Sequence, residues 1–83
     1  MATDDERLSL IAAQPGHRYV VAAVHGGDAL AERLQASGMW AGAPVELLAQ
    51  APFGGPLLFR VHGYRLALRR AEARRVEVTE AVA

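Results

Sequence analysis

The chain has 83 residues, with nine arginines, nine acidic residues, no lysine and no cysteine, and its formal net charge is zero. That length fits one domain burying about 60–65% of the surface its unfolded form exposes, which leaves little room for a deep catalytic cleft. Balanced charge argues against a dedicated nucleic-acid binder; lack of cysteine removes disulfides and thiolate metal sites; no apolar run reaches the ~20 residues of a membrane helix.

The opening MATDDERLSL is acidic and lacks the basic-then-apolar order of a signal peptide, so the reading is a cytosolic protein. Residues 1–7 are expected to be flexible, 8–79 to form the folded domain, and 80–83 to be a flexible tail. LSLIAAQPGHR carries Leu8, Leu10 and Ile11 before a Pro15-Gly16 turn signal, which predicts a short lead-in with one leucine tucked under the domain. Arg18 to Gly27 reads as a strand ended by paired glycines. Asp28 is a suitable N-cap for a short helix from about Ala29 to Ser37, with Leu30 and Leu34 on one face and Gly38 after its last turn.

After a turn at Gly42, a strand is expected from Pro44 to Gln50, with Val45, Leu47 and Ala49 on one side. APFGGP, Ala51 to Pro56, is then a corner. Its prolines fix φ, and Gly54 and Gly55 allow backbone angles closed to other residues. A hairpin follows. If Gly63-Tyr64 is its two-residue turn, Val61 faces Leu66, Phe59 faces Leu68, and Arg60 faces Ala67. Val76 and Val78 alternate with charges in a last strand. The fold class is mainly β: a small, bent SH3-like barrel of about five short strands with one short helix.

From Glu32 to Val78 the order of elements resembles the FeoA family, the small cytosolic component of bacterial ferrous iron uptake. The matching pieces are Arg33-Leu34 ahead of Gly38-Met39, then Gly42 before a strand, APFGGP, a hairpin, and LALRRAEARRVEV; LSLIAAQPG near the start also fits. Ala41 stands where the family usually has proline, and Trp40 is bulkier than the aliphatic residue common there. The resemblance implies an SH3-like, non-enzymatic accessory module that binds the cytosolic part of a FeoB-type transporter. It would be cytoplasmic and reach the inner membrane through that transporter. The same barrel ends iron-dependent repressors, so a metal-sensing domain whose oligomerisation responds to Fe²⁺ or Zn²⁺ is the alternative.

The residues themselves point away from catalysis. No Ser-His-Asp set is plausibly placed, and HGGDALAER lacks a phosphate-cradling pattern. His25, Asp28 and His62 are the candidate metal ligands, because Fe²⁺ and Zn²⁺ accept imidazole and carboxylate. Stable sites use three or four ligands, so a site shared between two copies in a homodimer suits this set better than one within a chain. No cofactor is required on the transport reading. Met39, Trp40, Phe53 and Tyr64 are apolar residues outside the barrel pattern, and they form the candidate partner surface. Arg69 joins them from a cluster with Arg70, Arg74 and Arg75, interleaved with Glu72, Glu77 and Glu80. Such a cluster is a solvated ion-paired face or a docking patch for an acidic partner.

Overall fold

The computed structural model describes residues 7–81. The elements in chain order are β1 (Arg7–Ser9), a 3-10 turn (Leu10–Ala12), β2 (Arg18–Val24), α1 (Ala29–Ala36), β3 (Pro44–Gln50), β4 (Leu57–Val61), β5 (Tyr64–Leu68), α2 (Arg70–Ala73) and β6 (Val76–Glu80). The strands form one antiparallel sheet in the order β1-β6-β2-β3-β4-β5. The architecture is mainly β, with β1 and the one-turn α2 added to the elements read from sequence. Of the expected flexible termini, residues 1–6 and 82–83 lie outside the described residues. Arg7 pairs with Thr79, and Glu80 pairs with Tyr19, so both residues stand in the sheet.

Two bulges bend the sheet, one in β2 between Val21 and Ala23 and one in β3 between Leu47 and Ala49. The second corrects the expected alternation. Val45 and Leu47 are buried, but the extra residue carries Ala49 to the surface. The curved sheet closes around Leu10, Tyr19, Val21, Val45, Leu47, Leu57, Phe59, Leu68, Val76 and Val78. Leu10 is the leucine expected under the domain, and it is fully buried. No polar or charged residue is buried as a whole among the described residues. The fold therefore rests on apolar burial and the strand ladders.

Helix α1 is fastened at both ends. The Asp28 carboxylate accepts the Ala31 N–H at 3.2 Å. At the other end the Gly38 N–H donates to the Gln35 carbonyl and the Met39 N–H to the Leu34 carbonyl. Gly38, at φ +110°, supplies the left-handed step. This is a Schellman motif, in which the residue after the glycine packs on the helix's last turn. Met39 accordingly joins Leu34 in the core and is 0% exposed. It has no surface to offer a partner, which removes it from the expected contact set.

The hairpin also differs from expectation. Val61 pairs with Tyr64, Arg60 with Arg65, Phe59 with Leu66, and Leu57 with Leu68. The central turn residues are His62 and Gly63, with φ of +51° and +81°. Positive φ at both positions marks a turn whose twist matches the flanking strands, and histidine tolerates that conformation better than most side chains. The register moves by two residues, so the core side chains keep the expected face while every cross-strand partner changes.

Candidate interaction surface

Two exposed aromatic sites flank β3. At its start, Trp40 is 51% exposed and lies against the His62 imidazole, with ring centroids 4.4 Å apart. Tyr64, 45% exposed, lies 6.4 Å from His62. The Tyr64 hydroxyl donates to the Ser37 carbonyl, and His62 Nε2–H donates to the Gly38 carbonyl at 3.1 Å. The end of α1 and the β4–β5 turn are thus joined under a small aromatic surface. It is possible only because residue 38 lacks a side chain: a Cβ there would sit 2.8 Å from both His62 Cδ2 and the Tyr64 hydroxyl.

The other site is the corner between β3 and β4. The Gly55 N–H donates to the Pro52 carbonyl at 3.2 Å, and the Ala51 N–H donates to the Pro56 carbonyl at 2.9 Å. Phe53 and Gly54 form its tip with φ of +59° and +76°. Gly55 contributes room rather than an unusual angle, since a Cβ there would meet the Ala51 Cβ at 2.8 Å. Phe53 is fully exposed, at 103% relative to an extended reference. A bulky side chain held in the left-handed region costs roughly 1–3 kcal/mol, and burial of this ring offsets none of it. Trp40 precedes β3 in the chain and Phe53 follows it.

Arg69 is exposed at the start of α2, where its backbone N–H donates to Glu72 Oε1 at 2.7 Å. Of the other three arginines in the expected cluster, only Arg75 closes an ion pair among the described residues, and Arg33 and Arg7, from outside the cluster, take up its interleaved Glu72 and Glu77. Arg75 binds both oxygens of Asp28, at 2.9 and 3.0 Å, while Arg33 of α1 reaches Glu72 at 3.3 Å. Arg7 pairs with Glu77 at 3.4 Å. Part of the cluster is therefore an ion-paired surface.

The expected metal ligands do not converge. His25 Nε2–H donates to Glu77 at 2.6 Å, Asp28 is engaged by Arg75 and Ala31, and His62 belongs to the hairpin turn under Trp40. Arg75 also donates to the His25 carbonyl at 3.4 Å, which puts a guanidinium beside the place a shared ion would need. Among the described residues no group of three or more histidines and carboxylates is close enough to hold one metal. The described residues of one chain do not gather a ligand set for a divalent cation.

These pairs make stability depend on acid. The hydrogen bond from Arg75, helped by that from Ala31, lowers the Asp28 pKa from 3.8 to about 2. His25, with help from Arg7, lowers that of Glu77. A carboxylate whose pKa is depressed by folding contributes stability that is present above its unfolded pKa and lost as pH falls through the folded one. The melting temperature of Asp28→Asn should therefore lie below that of the parent at neutral pH. The two should converge as pH is lowered from about 4 towards 2. A gap that does not narrow over that range would mean that the charge of Asp28 contributes nothing.

Comparison with curated protein sequences gives no match. Among solved structures, Stenotrophomonas maltophilia FeoA in complex with zinc is 39% identical, over 86% of this chain and 88% of that one, with a TM-score of 0.75. It is described as a prokaryotic SH3 domain protein proposed to act as a bacterial ferrous iron transport activating factor. FeoA from Chlorobium tepidum is 31% identical, over 90% of this chain and 71% of that one, with a TM-score of 0.82. A manganese-dependent transcriptional repressor is 18% identical, covers 92% of this chain and 42% of its own, and has a TM-score of 0.82, a likeness of fold. The bent six-stranded sheet is thus an SH3-like domain. No described helix is long and apolar enough to cross a membrane. The FeoA domain profile matches residues 8–80, nearly the whole folded chain, and the protein belongs to the FeoA family.

Proposed function

We propose that this chain is a non-enzymatic docking module that assists ferrous iron transport by binding the cytosolic part of a FeoB-type transporter. It acts in the cytoplasm and meets the membrane through that partner. The observation that carries this reading is Phe53, a wholly exposed aromatic at φ +59° on a corner braced by two prolines. A strained, exposed side chain of this kind is better explained by a partner than by the free fold. Trp40 and Tyr64 offer a second contact of interface composition. The transport role proposed for the S. maltophilia relative agrees with it.

Phe53→Ala and Trp40→Ala should each weaken binding to the transporter's cytosolic part about tenfold or more, as truncation of interface hot spots does. Titration calorimetry measures this, with circular dichroism to show that the fold is retained. Unchanged affinity in both variants would sink the assignment.

The zinc complex of the S. maltophilia protein favours a second reading, a domain whose assembly responds to metal. Since the described residues of one chain do not gather enough ligands, the ion would lie between copies and use His25 or His62 from each. Sedimentation velocity in chelator, in Fe²⁺ without oxygen and in Zn²⁺ tests this. A reversible shift to dimer that His25→Ala and His62→Ala remove would support it, and no shift with either metal would end it.

A further inference from the structure

Strand β5 has one neighbour, β4, and its other edge is open. In an antiparallel pair, residues alternate between those that bond to the partner strand and those whose N–H and C=O point away. A two-residue turn makes the flanking pair, Val61 and Tyr64, a bonded one. Arg65 and Ala67 therefore direct their backbone N–H and C=O groups to the open edge. Both residues are exposed. Ala67 also borders a groove of about 540 Å³ lined by Arg33, Pro56, Arg69 and Glu72, so the surface beside the second half of β5 is open.

The charges along this edge break a rule of sheet pairing. Arg65 stands directly opposite Arg60, and like charges in that position repel. Neither closes an ion pair among the described residues. Glu46 is opposite Arg60 on β3 and Arg18 is opposite Glu46 on β2, which makes one row of three arginines and one glutamate across four strands. Arg60, Glu46, Arg18 and His62 line a second groove of about 410 Å³. The row carries uncompensated positive charge next to unpaired backbone groups.

We infer that the open edge of β5 receives an extended acidic segment of a partner protein as an added strand. Its backbone bonds to Arg65 and Ala67, and a carboxylate on the outer face lies by Arg65 and Arg60. A second copy of this chain is the wrong occupant, because pairing β5 with itself brings two Arg60–Arg65 pairs together. An acidic strand supplies both missing partners at once, the ladder bonds and the counter-charge. The inference deepens the docking reading above by naming the chemistry of the partner segment, and it uses neither Phe53 nor Trp40.

The test titrates the whole ¹⁵N-labelled protein with a short acetylated peptide alternating Thr and Glu, and with its counterpart alternating Thr and Lys. The Glu peptide should shift amide signals of residues 64–68 and slow hydrogen exchange at the Arg65 and Ala67 N–H groups at least tenfold at saturation. The Lys peptide should do neither. Arg65→Glu should lose the Glu peptide and gain the Lys peptide, an exchange of preference that a structural role for Arg65 would not produce. Ala67→Pro removes an edge donor without touching the β4 ladder and should also abolish binding. If that variant does not fold, Arg65→Glu decides alone. Equal response to both peptides, protection centred on Trp40 or Phe53 instead, or no binding of either peptide would overturn the inference. So would a concentration-dependent dimer that protects the same amides without peptide. Failure here leaves the transporter test standing, since that test reads Phe53 and Trp40, and failure there leaves the edge strand standing.

Discussion

Phe59→Ala is expected to cost about 3–5 kcal/mol, the range for truncating a fully buried aromatic. Phe59 is completely enclosed and stands between Leu47 of β3 and Leu66 of β5 in the sheet register. A chain of 83 residues has roughly 4–12 kcal/mol of stability in all, at the usual 0.05–0.15 kcal/mol per residue. One substitution should therefore remove a large part of it, and no disulfide exists to compensate. Urea unfolding followed by circular dichroism measures the loss. A cost below about 1 kcal/mol would mean that the strands close over the gap and that the sheet is far more pliable than a packed barrel.

Gly38→Ala should cost about 2–4 kcal/mol and change the fluorescence of Trp40, the single tryptophan. Two terms add. The left-handed backbone at φ +110° disfavours any side chain by about 1–2 kcal/mol. The new Cβ then displaces His62 and the Tyr64 hydroxyl, which breaks their bonds to Gly38 and Ser37 and disturbs the ring under Trp40. Gly63→Ala is the control. It has φ +81° but nothing within 4 Å of the added Cβ, so it should show the backbone cost alone, with Trp40 emission unchanged. Equal losses in both variants would show that the contact between α1 and the hairpin adds nothing.

The two variants differ in how much of their environment could be read in one dimension. That Phe59 is core follows from its place in an alternating run, because side chains two apart share a face of a strand. The Asp28 cap, the extent of α1 and the left-handed Gly38 follow from local chemistry just as directly. Met39 shows where that reasoning ended. Its neighbour Trp40 is half exposed, and both lie outside the strand pattern, so sequence placed them together on the surface. The Schellman motif turns the chain at Gly38 so that Met39 returns to Leu34 and Trp40 does not. A signal was present, since an apolar residue directly after a helix-ending glycine often packs on the last turn.

The corner of Ala51 to Pro56 was legible as a rigid turn presenting Phe53, because proline and glycine restrict the backbone whatever surrounds them. Whether Phe53 joins Trp40 was not, since that depends on how far β3 curls. The three metal candidates are similar: their donor chemistry is plain in the sequence, but Arg75 arrives beside two of them from 47 or more residues away.

The sequence alone determined β2 to β6, α1 with its caps, most of the buried face of those elements and the family, because these depend on near-neighbour sterics and on a period-two pattern; β1, α2 and the exposure of Ala49 after the β3 bulge came from the fold. Tertiary structure alone decided the register of the hairpin. A shift of two residues leaves every core side chain on its proper face, so hydrophobic patterning is blind to it. The folded hairpin turns at His62-Gly63, both at positive φ, and that register sets Arg60 opposite Arg65 at the open edge of the sheet.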